Sequence, residues 1–237
     1  MALILNIDTA LDTAYISLAE NEQGTVYAIN ETTKDHAAWI QPAIYQLIKE
    51  SGWRIADLTA IGVSIGPGSY TGLRIGLSTA KGLCFALKIP LITINTLEIM
   101  AFSAINEIAA HDPDLLTRNI FICPMIDARR MEVFTAVYNS SLVEIYEPHS
   151  LILNALAFDE LLERQKILFL GNGSIKFRQV CQNANAIFKK MALNPFALSE
   201  LTYKNFIGNN FATLAYAQPL YLKEFFTKQP EPGKTKR

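Results

Sequence analysis

The spacing of apolar and polar positions changes along this chain, and each change marks an element. Leu3 to Thr9 is a nearly unbroken apolar run, read as a buried strand. Ala14 to Ala19 and Thr25 to Glu31 follow as strands, separated by the turn residues Asn21 to Gly24. From His36 to Ser51 the period becomes that of a helix. Ile40, Ile44, Leu47 and Ile48 fall on one stripe, and Gly52 closes the segment. Pro42 lies inside it, which predicts a kink or a late start. Leu58 to Ile65 reads as a strand, Thr71 to Leu87 as a helix stopped by Pro90, Leu91 to Asn95 as a strand and Thr96 to Ala110 as a helix. Three strands followed by alternating helices and strands predict an α/β protein.

The pattern then recurs. "ILNIDTALDTAYISLA" begins at Ile4 and "ICPMIDARRMEVFTAVY" at Ile122. With Asp8 set on Asp127, Ile7 falls on Ile126, Ala14 on Val133, Tyr15 on Phe134 and Leu18 on Val137. The second half continues with a third strand at Leu142 to Tyr146, a helix at Ala157 to Gln165, a strand at Ile167 to Leu170 and a helix at Ser174 to Gln182. A repeat at this spacing predicts two similar subdomains facing each other across a cleft. The expected boundaries are 1–110 and 118–226, divided by the polar stretch His111 to Asn119. A basic, disordered tail is expected over 227–237.

Composition narrows the function classes. The 237 residues carry 21 Lys plus Arg against 22 Asp plus Glu, a net charge of −1, so nothing drives the whole molecule toward nucleic acid or an anionic membrane. No apolar run is long enough to span a bilayer, and the start lacks the basic flank of a signal peptide. Cys84, Cys123 and Cys181 are far apart and form no disulfide framework or paired zinc motif. The cytoplasm is the expected compartment.

The densest motif is "SIGPGSYTGLRIG", with Gly66, Gly68, Gly72 and Gly76 between a strand and a helix. It is not a P-loop, because no glycine there is followed by Lys and then Ser or Thr. Nor is it a dinucleotide fingerprint, because the third glycine arrives one residue late. An anion at the helix start is the remaining phosphate reading. His36, His111 and His149 have no metal-ligand spacing, and Ser69 is not in a nucleophile elbow but suits a helix cap. Asp8 and Asp12 are either a cation site or a strand-end carboxylate bonded to turn amides.

Strands ending in Ile-Asp and repeated across two halves resemble the actin, hexokinase and Hsp70-ATPase superfold. Within it, "NIDTA", "HAAWIQPAI", "GPGSYTGLRIG", "IDAR" and "PLYLKEF" together resemble the TsaB family, whose wider group carries the older label of glycoprotease or M22 peptidase. The resemblance implies a duplicated α/β fold and a non-catalytic role in forming tRNA threonylcarbamoyladenosine beside a TsaD-like catalytic subunit and a TsaE-like ATPase. Transfer RNA would be met weakly or indirectly. Relatives that bind nucleotide use glycine in the first turn, whereas Thr9 to Thr13 and Ala128 to Arg130 contain none. Asp8, Asp12, Asp127, Gly171 and Gly173 are therefore expected to be at most a vestigial nucleotide site. No cofactor is expected to bind this chain tightly alone, with ATP or ADP possible in the partner complex. The catalytic relative's His-x-x-x-His metal pair is absent, and no metal site or catalytic residue is expected. The competing class is an enzyme with its own ATPase, sugar-kinase or peptidase activity.

At about 100° per residue, Gly72, Gly76 and Ala80 share a smooth face of the second helix, and apolar or small residues cover more than half its circumference. That excess suggests two covered faces, one of them for another helix. In the resembled family these two helices meet the catalytic subunit. The expected interface is therefore His36, Trp39, Ile40, Ala43, Gly72, Leu73, Gly76, Thr79 and Ala80, with a homodimer through the same helices when the partner is absent. The alternative is that both helices are covered within the chain.

Overall fold

Buried apolar strands of the first half form one sheet. β1 (Leu3–Asp8), β2 (Ala14–Glu20), β3 (Gln23–Asn30), β4 (Ala60–Ser64) and β5 (Leu91–Ile94) stand in the order β3-β2-β1-β4-β5. The β1–β2 and β2–β3 pairs are antiparallel; β1–β4 and β4–β5 are parallel. The second half repeats this with β6 (Phe121–Asp127), β7 (Glu132–Tyr138), β8 (Glu144–Ile152), β9 (Ile167–Leu170) and β10 (Ala186–Phe188), in the order β10-β9-β6-β7-β8. The directions match pair for pair. The helices are α1 (His36–Ser51), α2 (Tyr70–Leu87), α3 (Thr96–His111), α4 (Pro113–Thr117), α5 (Asp159–Leu162), α6 (Ser174–Val180) and α7 (Ala197–Ile207). This computed structural model describes residues 1–32, 35–117, 120–191 and 194–223; the tail expected over 227–237 lies outside them.

The two hairpins differ by one residue. Asp8 pairs with Tyr15, whereas Asp127 pairs with Val133. The second turn is one residue shorter, so Tyr15 corresponds to Val133 rather than to Phe134, and the alignment of β2 with β7 from sequence is shifted by one. The third strand of the second half is longer than expected, because β8 pairs with β7 as far as Ile152. The helix expected over Ala157 to Gln165 shrinks to α5, while α1 spans its expected range without a late start at Pro42.

Each half lends its last helix to the other. α1 and α2 cover one face of the first sheet, where Leu3, Leu5 and Ile7 meet Ile40, Ile44, Leu77 and Ala80. The opposite face, with Ala2, Ile4, Ala60 and Ile92, is covered by Ala197, Leu198 and Leu201 of α7. In return, Leu97, Met100, Ala101 and Ala104 of α3 lie on Ile122, Ile126 and Leu168 of the second sheet. The α7 crossing is fixed by hydrogen bonds: Asn6 Nδ2 donates to Ser199 Oγ, which also pairs with Ser17 Oγ, both at 3.0 Å. The chain beyond α7 stays with the first half. Ala212 N–H donates to Leu91 O, and Leu220 N–H to Ile65 O. Within the range 118–226 expected for the C-terminal subdomain, α7 and the segment after it as far as Leu220 pack on the first sheet.

Candidate functional site

The glycine motif is a close-packing device within the chain. The Ser69 N–H donates to Ala10 O at 2.7 Å, and Thr9 Oγ1 donates to Gly72 O at 2.7 Å. A Cβ on Gly68 would overlap the Ala10 carbonyl, one on Gly72 the Thr9 carbonyl, and one on Gly76 the Thr9 hydroxyl. Ser69 Oγ caps α2 by accepting from Gly72 N–H. The first turn thus packs against the start of α2, and the Ser69 and Gly72 N–H groups are bonded within the chain.

Those contacts correct the expected docking surface. Gly72, Leu73, Gly76 and Ala80 are buried beneath α2, and Ile40 is buried beneath α1. His36 is buried beside Asn30, whose Nδ2 lies 3.2 Å from its Nδ1. Trp39 and Ala43 are half-buried on the same core, and Thr79 is half-buried where Gln41 Nε2 reaches its hydroxyl. The face of α2 that is turned outward carries Thr71, Arg74, Ser78, Gly82 and Phe85, at helical steps of three and four. Phe85 is 79% exposed, and a Cβ on Gly82 would meet nothing within 4 Å. Beside it α1 presents Ala38, Gln41, Pro42 and Tyr45, the last 70% exposed. Sequence periodicity identified two helices with small residues. It did not tell the inward small stripe from the outward one at Ser78, Gly82 and Ala86, for which the exposed aromatic Phe85 was the available signal.

Of the candidate nucleotide residues, Asp12 and Gly171 line one cavity, and Asp8, Asp127 and Gly173 are not in its lining. Asp8 is buried, accepting from Ser64 Oγ at 2.6 Å and from Ala10 N–H at 3.1 Å, and its burial raises its pKa. The strand-end reading of Asp8 therefore holds, without Asp12 as a joint ligand. Asp12 is exposed in a cavity of about 500 Å³ between the halves, also lined by Glu31, Gly171, Asn172 and Lys190. Asp127 stands outside that cavity. Burial would raise its pKa, but Lys176 Nζ at 2.7 Å and the Arg129 N–H at 2.6 Å outweigh this and hold it low. Gly171 has φ of +87°, and a Cβ there would overlap the Met125 carbonyl. A Cβ on Gly173 would press on Val133 and Met125. Both glycines thus serve packing on β6. Among the described residues, no three His, Cys, Asp or Glu side chains are grouped to hold a metal ion.

A larger cavity of about 920 Å³ lies where the β6–β7 turn faces the start of α2 and the C-terminal segment. Arg129, Arg130, Phe134, Tyr70, Tyr221 and Lys223 line it. Arg129 and Arg130 have φ of 71° and 48°, an uncommon conformation for residues other than glycine. Sequence reading treated these arginines only as obstacles to a phosphate turn. Their signal was a dibasic pair in a four-residue connection. None of the described helices is long and apolar enough to cross a membrane.

A repeated five-stranded unit with exchanged terminal helices defines a duplicated α/β protein of the actin, hexokinase and Hsp70-ATPase kind. The family model described as "TsaD: tRNA N6-adenosine threonylcarbamoyltransferase" matches residues 18–218. The tRNA threonylcarbamoyladenosine biosynthesis protein TsaB of Bacillus subtilis is 32% identical over 183 residues, covering 76% of this chain and 75% of that one. Its counterpart in Buchnera aphidicola (strain APS) is 27% identical, covering 86% of this chain and 91% of its own. The chain belongs to the TsaB family, inside the wider group that the TsaD model matches. A crystal structure from Pseudomonas aeruginosa, described as an uncharacterized protein with similarity to peptidase YeaZ, shares the fold. Its TM-score is 0.79 at 21% identity, over 94% of this chain and 100% of that one.

Proposed function

We propose that this chain is a non-catalytic subunit in the formation of tRNA threonylcarbamoyladenosine, acting in the cytoplasm by docking a TsaD-like catalytic subunit on the outer faces of α1 and α2. The observation that carries this reading is the outward stripe of Ser78, Gly82 and Phe85 beside Tyr45. Two helices of a TsaB-family protein there present aromatic side chains around a glycine with open space over its Cα. Small residues let a partner helix approach closely, and the flanking aromatics supply buried area. The engagement of Asp8 and Asp127 within the chain supports a supporting rather than a catalytic role. In this reading a TsaE-like ATPase joins the assembly, ATP or ADP is held by the complex, tRNA is met weakly or indirectly, and a second copy uses the same helices only when the partner is absent.

The test is titration calorimetry of the chain with the TsaD-like subunit of the same organism. Gly82→Leu should lower affinity about tenfold or more, since separating two packed helices costs roughly 1–3 kcal/mol. The isolated variant should melt no lower than the parent, because leucine favours helix over glycine. Wild-type affinity in a folded Gly82→Leu variant would remove this face as the interface.

A further inference from the structure

Arg74 is exposed on the outward face of α2, yet its guanidinium is held in place. Its carbon lies 3.8 Å from the centre of the Tyr70 ring, and Nε donates to the Tyr221 hydroxyl at 3.0 Å. Tyr70 and Tyr221 are themselves packed, with ring centres 5.3 Å apart. A side chain that usually samples many rotamers is thus fixed by a stack on one face and a hydrogen bond at Nε. The terminal N–H groups form a fork that has the Tyr70 side chain as a further hydrogen-bond partner. Among the described residues Arg74 has no carboxylate partner.

The surroundings indicate what the fork would meet. α2 contains two cations, Arg74 and Lys81, and no acidic residue. Lys81 is occupied, donating to Ala217 O at 3.0 Å. On α1 the one acidic residue is Glu50, in the last turn beside Lys49 and bonded to Gln46. A two-fold dimer through this face would place each Arg74 against two helices whose acidic groups, Glu50 and the N-cap Asp35, lie at opposite ends of α1. A different protein carrying a carboxylate at the matching position would satisfy it with a bidentate, charge-assisted pair.

Resting on the docking reading above, we propose that Arg74, preset by Tyr70 and Tyr221, is the anchor for an Asp or Glu carboxylate on the docked protein and that it selects this partner over a second copy of the chain. The anchor sits at the N-terminal end of α2, one helical step before Ser78, so it engages the same partner surface as Gly82 and Phe85. Tyr221 is a positioning residue that acts through Arg74. This gives the segment after α7, which returns to the first half, a part in recognition.

The experiment is calorimetry of the full chain with the TsaD-like subunit at about 50 mM and about 500 mM salt, alongside sedimentation of the chain alone. Arg74→Ala should weaken the complex about tenfold or more at low salt, as expected for loss of a charge-assisted pair, and less at high salt. Arg74→Lys, which keeps charge but not the fork, should recover only part of this. Tyr221→Phe should cost several-fold in affinity without changing the melting temperature. The chain alone should self-associate more weakly than it binds the TsaD-like subunit. Wild-type affinity of Arg74→Ala at low salt, with Gly82→Leu still disruptive, overturns the anchor and leaves the docking face standing. Unchanged affinity in both variants, or no complex at all, overturns the docking reading itself. A self-dimer tighter than the complex overturns the selectivity.

Discussion

The hydroxyl of Thr9 lies where a Cβ on Gly76 would have to go, and it donates to the Gly72 carbonyl one helical turn back. The start of α2 is therefore pressed onto the end of β1. Gly76→Leu should destabilise the isolated chain. Overpacking costs about 1–3 kcal/mol and opposes roughly 1 kcal/mol of gained helix propensity. The melting temperature reads the balance, and an unchanged value would show that this contact yields freely.

Gly82, six residues further on, has open space around its Cα and ordinary helical surroundings. Gly82→Ala should raise stability by about 1 kcal/mol, or about 2–4 °C in melting temperature for a chain of this size. Together, Gly76→Leu and Gly82→Ala separate the two small stripes of α2. A stability loss from Gly82→Ala would place that residue in an unseen internal contact.

Burial raises the pKa of Asp8 above its ordinary 3.8. The folded chain therefore binds more protons at this site than the unfolded chain as pH climbs from about 3.8. Stability contributed by the group is full below that pH and declines as pH passes through the folded value. Asp8→Asn keeps an oxygen to accept from Ser64 and Ala10 and cannot ionise. Urea midpoints should show the variant equal to or above the parent at pH 7, with the difference vanishing toward pH 4. A variant much weaker at pH 7 than at pH 4 would reverse the sign and refute the assignment.

The isolated chain should show no metal-dependent peptidase activity and little ATP hydrolysis. Steady-state turnover assays with and without divalent metal check both. Robust ATP hydrolysis that disappears in Asp8→Ala would establish an enzyme in its own right.

Affinity of the chain alone for tRNA should be weak and should fall steeply with salt, with the basic residues Lys228, Lys234, Lys236 and Arg237 supplying most of it. Filter binding of the full chain and of one ending at Thr227 compares them directly. Tight, salt-insensitive binding by the shorter chain would contradict this.

Much of the architecture was readable from the sequence because it rests on local pattern. The stripe of Ile40, Ile44, Leu47 and Ile48 with Gly52 behind it gave α1 its limits, and the repeated Ile-Asp strand ends revealed the duplication. What stayed hidden depends on partners distant in the chain. A three-residue strand such as β10 has too few positions to show a period, and α7 gives little amphipathic signal because its buried residues include Ser199 and Thr202. Small residues at 72 and 76 permit close approach by either a strand end or a foreign helix, and only the fold shows that Thr9 is the neighbour. The same limit applied to Asp8. Its place at a strand end was legible, but its burial against Ser64 was not.

The exchange of α3 and α7 also bears on how the chain emerges from the ribosome. The first sheet's strands are complete once Ile94 has been made, but the cover for Ala2, Ile4, Ala60 and Ile92 comes from residues 197–201, about a hundred positions later. Until then that face has Ile99 and Phe102 of α3 beside it but not α7. Completing the core of the first half thus depends on a contact distant in sequence, of the kind that slows folding.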